Sequence, residues 1–149
     1  FANLMNELPR ERLILALGAV AACEGMIERT IEYTQERMAF GQPISKFQNT
    51  RYVLADLHAQ TAVNKAFCSQ CTDQYDKGEL STTNASIAKL TTTELQGVVA
   101  DKCLQLFGGY GYMQVYPISR DYVDARIQRI YGGTSEIMKE IISRDILGR

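Results

Sequence analysis

The sequence has no apolar run long enough to cross a bilayer, a single histidine (His58), and no excess of positive charge. Its longest apolar stretches, Leu13–Leu17 and Val20–Cys23, fall far short of the roughly 20 residues a membrane helix needs. Sixteen Lys and Arg face seventeen Asp and Glu, scattered along the chain, so the electrostatic footprint of a nucleic-acid binder is missing. One histidine and four cysteines do not fall at the spacing of a zinc site. Cys68 and Cys71 form a C-x-x-C pair, but their neighbours read as helix and no second ligand pair follows, so free thiols in a reducing compartment are expected. The chain opens at Phe1 rather than Met, compatible with a piece of a longer polypeptide.

What is present is helical spacing. With 149 residues, 46% of them hydrophobic and 22% charged, the chain suits one domain with a single core. From Pro9 to about Arg37, Leu13, Leu17, Val20, Ile27 and Ile31 recur at intervals of three and four. Gly18, Ala19, Ala21, Ala22 and Gly25 keep this helix thin enough for a close neighbour. Phe40-Gly41-Gln42-Pro43 breaks it. A second helix is predicted from about Phe47 to Asp76, with Val53, Leu54, Leu57, Ala62, Ala66 and Phe67 inward. Gly78 and Ser81 punctuate a third, Thr82 to Leu106, burying Ile87, Leu90, Leu95, Val98 and Val99. A shorter helix near Ser119–Arg126 follows Pro117. Thr134 or Ser135 caps a last one with Ile137, Met138, Ile141, Ile142 and Ile146 as its stripe. No segment shows sustained strand alternation, so the expected class is all-α: an antiparallel, up-and-down bundle of four long helices plus a short one.

Four segments, in order, resemble the C-terminal domain of the acyl-CoA dehydrogenase family. They are Glu36–Gly41, Ile44–Gln48, Gln105–Gly111, and Asp124-Ala125-Arg126 leading to Ile130–Ile137. The resemblance implies dehydrogenation of the Cα–Cβ bond of an acyl-CoA thioester, with a glutamate taking the α-proton and FAD the β-hydride. It also implies a homo-oligomer, dimeric or tetrameric, that passes electrons to electron-transfer flavoprotein, in the cytoplasm of a bacterium or the mitochondrial matrix. The N-terminal helical domain and middle β domain of the family would lie outside this chain, leaving the fragment alone without FAD affinity or turnover.

By the same resemblance Arg37 contacts the FAD pyrophosphate, a task for which a forked guanidinium is suited, and Gln48 lies near the flavin. Gln105, Leu106, Phe107, Gly108 and Gly109 match a flavin-binding stretch usually offered across a subunit interface, where glycines allow close backbone approach. Thr134, Ser135 and Glu136 match positions that meet the FAD of the same subunit. Arg12, Gly132 and Gly133 fall on the substrate side, the Gly132 N–H together with a flavin hydroxyl polarising the thioester carbonyl.

One position departs from the common pattern. Most of the family carries the catalytic glutamate where this chain has Gly132. A branch that includes long-chain and isovaleryl-CoA dehydrogenases instead places it at the start of the first bundle helix, before an arginine, and here Glu11-Arg12 stand there. Glu11 is therefore the expected base. An α-proton of a thioester calls for a carboxylate shielded from water; the adjacent Arg12 and the helix start act in the opposite sense. Glu7, Glu24 and Glu28 read as solvated or paired acids. Two other readings remain open on the residues: a non-catalytic helical-bundle module for binding or assembly, motivated by the glycine at 132, and an acyl-CoA oxidase.

Overall fold

The computed structural model describes the backbone of residues 2–148 and the side chains of residues 7–148. Five helices follow one another: α1 (Ala2–Glu36), α2 (Gln48–Asp76), α3 (Thr82–Phe107), α4 (Pro117–Ile127) and α5 (Ser135–Ile146). This is the all-α bundle expected from the spacing, with a last helix of 12 residues. α1 begins earlier than predicted: Pro9 lies within the helix rather than in its first turn. Its missing N–H costs one hydrogen bond, which the flanking Leu, Met and Glu residues, good helix formers, override.

Two contacts fix the relative direction of the longest elements. Arg12 Nη1 donates to Ser86 Oγ near the start of α1 and α3, and Tyr33 Oη donates to the Phe107 carbonyl near their ends. The two helices therefore run parallel and in direct contact, with α2 returning alongside both; Lys65 on α2 pairs with Glu24 on α1 at 2.7 Å. Glu7 likewise pairs with Arg10.

The inward line of α1 is Leu13, Ala16, Val20, Cys23, Ile27, Thr30 and Thr34, each buried, at alternating steps of three and four. Small and hydroxylated residues make up much of it, and the hydroxyls are satisfied within the helix: Thr30 donates to the Met26 carbonyl at 2.7 Å and Thr34 to that of Ile31 at 3.0 Å. On α3, Ala85, Ala88 and Ala100 give close approach, while Gly18 on α1 faces open space. Several predicted core residues are exposed: Leu17, Ile31, Ala62, Ala66, Val98, Ile137 and Ile146. Spacing picks out every apolar stripe, and these helices have more than one; only the stripes facing a neighbouring helix are covered within this chain.

Between α1 and α2 the chain makes a minimal antiparallel hairpin, β1 (Met38–Ala39) paired with β2 (Gln42–Pro43). Its two tip residues have positive φ, 51° at Phe40 and 77° at Gly41, the backbone that two-residue hairpins require. The Ile44 N–H closes back onto the Arg37 carbonyl at 2.9 Å, which fixes the end of α1 where Arg37 projects.

Candidate functional site

The turn between α4 and α5 carries Gly132 and Gly133, with φ of +66° and +101°, conformations in which a Cβ is strained. Five side chains from three helices surround it, Ile137 of α5 among them. A Cβ built on Gly132 would overlap Cδ1 of Leu15 (α1) and lie 4.0 Å from Cε of Lys89 (α3). A Cβ on Gly133 would come within 2.6 Å of Cε of Met138 (α5) and 4.0 Å of Nη2 of Arg12 (α1). Glycine at these positions thus answers both the backbone and the packing.

Lys89 is fully buried, and its ammonium donates to the Gly133 carbonyl at 2.7 Å. Loss of hydration pushes its pKa below the usual lysine value, with the carboxylates of Glu94 and Glu136 acting the other way. Arg12 is 5% exposed and bonds Ser86 Oγ at 3.4 Å, while its Nε finds no partner. Burial lowers its pKa too, opposed by neighbouring Glu11. Two desolvated cations therefore stand behind the glycine turn, a field suited to stabilising negative charge developing in front of it.

Glu11 itself is exposed and takes part in none of the ion pairs among the described residues. It precedes Leu15 by four positions on α1 and so shares its helix face. Since Leu15 packs on Gly132, the Glu11 carboxylate rises from the same row one turn towards the N-terminus.

Beyond the turn, Thr134 caps α5, its hydroxyl accepting the Ile137 N–H at 3.3 Å. Ser135 is buried and its hydroxyl donates to Glu94 Oε1 at 2.6 Å, so its side chain points inward. Glu94 also faces Arg129, Oε2 to Nε 3.3 Å. Glu136 is exposed in the first turn of α5, and hydrogen bonds from its own backbone N–H and the Thr134 hydroxyl lower its pKa. Thr134, Ser135 and Glu136 line a cavity of about 190 Å³ with Glu94, Arg126 and Arg129.

At the opposite end of α3, Arg37 and Gln105, Leu106, Phe107, Gly108 and Gly109 line one pocket of about 460 Å³. The Arg37 guanidinium lies 5.3 Å from the Tyr110 ring centre and belongs to no ion pair among the described residues. Space above Gly108 and Gly109 is open. Tyr33 stacks on Phe107 at 4.0 Å between ring centres and forms the floor. An exposed forked cation beside bare backbone suits a phosphate-bearing ligand such as a dinucleotide. Gln48 does not line this pocket; its amide donates to Tyr52 Oη at 2.8 Å.

Leu15, Lys89 and Glu94 had given no signal in the sequence. Leu15 reads as one apolar residue among many, and a lysine or glutamate in a helix reads as solvated. Their positions become significant only once α1, α3 and the 132–133 turn are brought together. Cys68 and Cys71 are both buried, and desolvation pushes the Cys68 thiol up to about 11 and the Cys71 thiol in the same direction, opposite to a reactive redox pair.

Comparison with known proteins agrees with this geometry. Residues 1–147 match the family described as acyl-CoA dehydrogenase, C-terminal domain. The mitochondrial long-chain specific acyl-CoA dehydrogenase of Rattus norvegicus is 48% identical over 147 residues, covering 99% of this chain and 34% of that protein. The crystal structure of an acyl-CoA dehydrogenase from Geobacillus kaustophilus superposes with a TM-score of 0.96 at 39% identity, over 98% of this chain and 38% of that one. A glutaryl-CoA dehydrogenase from Mycobacterium smegmatis, in complex with FADH2, gives 0.92 at 27% identity, over 95% and 37%. The chain spans about a third of the length of the curated relatives it matches. With nearly every residue inside the family's C-terminal domain and the fold superposing throughout, the chain belongs to the acyl-CoA dehydrogenase family.

Proposed function

We propose that this chain is the C-terminal domain of an FAD-dependent acyl-CoA dehydrogenase in which Glu11 is the catalytic base. The observation that supports it best is the packing of Leu15 against Gly132: the α1 face that bears Glu11 lies against the turn where most of the family has its glutamate. A carboxylate rising from α1 can serve the substrate carbon that a glycine cannot. The 48% identity to a long-chain specific relative supports the same branch, shared by resemblance with isovaleryl-CoA dehydrogenases.

In this reading the Glu11 carboxylate accepts the α-proton of the acyl-CoA thioester, the electrons of that bond become the new Cα=Cβ bond, and the β-hydrogen leaves as hydride. When bound, FAD accepts that hydride. The Gly132 N–H donates to the thioester carbonyl and, with Arg12 and Lys89 behind it, stabilises the enolate charge of the transition state. Thr134 and Glu136 face a cofactor of the same subunit, Ser135 holding the turn through Glu94. Arg37 and the Gln105–Gly109 backbone hold the phosphates and adenosine of a second one.

The Thr134–Glu136 cavity meets α3 at Glu94 and the Arg37 pocket meets it at Phe107, thirteen residues or about 20 Å along the helix. That separation supports a homo-oligomer, dimer or tetramer, in which the Arg37 pocket serves a neighbour's FAD. The family's N-terminal helical and middle β domains complete each site, electron-transfer flavoprotein takes the electrons, and the protein acts in the bacterial cytoplasm or the mitochondrial matrix.

The test is Glu11→Gln in the full-length, FAD-loaded protein. The variant is expected to keep its FAD and lose bleaching of the flavin by acyl-CoA. Undiminished bleaching removes Glu11 from the role. Absence of bleaching in the parent protein favours a binding module, and oxygen consumption without another acceptor favours an oxidase.

A further inference from the structure

Lys89 has no role in the reading above beyond the charge it lends. We infer that Lys89 is a positioning residue, whose bond to the Gly133 carbonyl anchors the far side of the glycine pair and so limits the swing of the Gly132 N–H that meets the thioester carbonyl. This rests on the proposal that the Gly132 N–H meets that carbonyl.

A glycine pair is the most freely rotating dipeptide a chain can contain, yet an amide that stabilises a developing oxyanion has to be held before the substrate arrives. Here both glycines sit at positive φ, and no side chain of their own restrains them. The restraint comes from outside. Leu15 closes one side of Gly132 and Met138 one side of Gly133, but both are apolar contacts that limit position rather than peptide direction. Polar bonds at Ser135, to the Arg129 carbonyl and to Glu94, close the turn beyond the pair, and the one polar side chain bonded to the glycine pair itself is Lys89, whose Nζ donates to the Gly133 carbonyl at 2.7 Å with its stem running along Gly132.

Burying an ammonium is unfavourable, and a core position on α3 is better filled by leucine or methionine for stability alone. A fully buried Lys89 aimed at this carbonyl is therefore hard to account for by packing. α3 itself is anchored against α1 along its length, so the turn is referred to the rigid centre of the bundle. The base on α1 and the amide in the turn then share one frame, Glu11 through Leu15 and Gly132 through Lys89.

The experiment compares two ligands on the full-length, FAD-loaded protein by titration calorimetry: dodec-2-enoyl-CoA, a thioester already carrying its double bond, and S-dodec-2-enyl-CoA, the thioether lacking the carbonyl. The parent is expected to prefer the thioester. Lys89→Met is expected to weaken thioester binding about tenfold, the scale of one oriented hydrogen bond, with thioether binding changed less than about twofold. An undiminished preference in Lys89→Met, or an equal fall for both ligands, overturns the inference. A parent without preference refutes the carbonyl contact of Gly132 first and the inference with it. Should Lys89→Met not accumulate as folded holoenzyme, Lys89→Leu, which likewise carries no donor, is titrated in its place, and the same outcomes support or overturn the inference. Amide exchange gives an independent reading: residues 131–135 should exchange about tenfold faster in the variant with α3 unchanged. Equal acceleration along α3 marks a packing role and overturns the proposal.

Discussion

Leu15 fills the space beside Gly132 that a side chain at that position would need. The two residues are complementary across the interface of α1 and the turn, one large where the other is absent. The pairing suits a glycine: at φ +66° a side chain at position 132 is strained and has to displace the Leu15 methyl.

Gly132→Ala should therefore destabilise the full-length protein by about 1–2 kcal/mol from the left-handed backbone, plus the displacement of Leu15. Adding Leu15→Ala to that background relieves only the second contribution. A double-mutant cycle in urea should show coupling between the two positions, and strict additivity would show that they do not meet.

Arg12→Met should leave folding stability within about 1 kcal/mol of the parent, because the guanidinium it removes is desolvated and bonded only to Ser86. Flavin reduction by acyl-CoA should slow in the same variant, since one of the two cations behind the turn is gone. A large loss of stability with unchanged reduction rate would reverse this assignment.

Thr134→Ala should cost about 1 kcal/mol by uncapping α5. The lowered pKa of Glu136 adds a pH signature: its contribution is complete above the ordinary carboxylate range and is lost as pH falls through the lowered folded value. Unfolding midpoints in mild acid should drop less steeply in the variant, whose Glu136 has lost one of its hydrogen bonds. Parallel pH curves would sink the link.

Burial raises the Cys23 thiol from 9.0 to about 12 and that of Cys68 to about 11, so the unfolded chain ionises these groups first. Stability is full below pH 9 and falls as pH rises towards the folded values. Lys89 works in the other direction: its folded pKa lies below 10.5, so its contribution grows as pH rises through that interval. Urea midpoints between about pH 8 and 10.5 should decline, less steeply in Cys23→Ala and more steeply in Lys89→Met. Unchanged slopes in both variants would contradict the buried placement of these groups.

The helices, their order and most of their ends were legible in the sequence because apolar spacing, Gly78, Ser81, Pro117 and Thr134 all act locally. The core was less so. Thr30, Thr34, Thr92 and Thr93 are buried with hydroxyls bonded inside their own helices, which makes them apolar in effect though polar by composition. Conversely, Ile137 and Ile146, apolar residues expected inside, are left exposed by this chain. The resemblance marked two regions as cofactor-facing, and the structure draws the residues of one, Arg37 and Gln105–Gly109, into one pocket. It could not reveal Leu15, Lys89 or Glu94, whose significance comes from residues about forty positions away or more along the chain.

A rigid rod joins the two ends of this domain. One residue inserted into α3 between Lys89 and Phe107 would turn the far end by about 100°, swinging the Arg37 pocket away from its bearing relative to Gly132. Four inserted residues nearly restore the bearing but lengthen the rod by about 6 Å. The residue count of this segment is therefore a gauge length, and natural variation should be common in the loops at either end and absent from the stretch between.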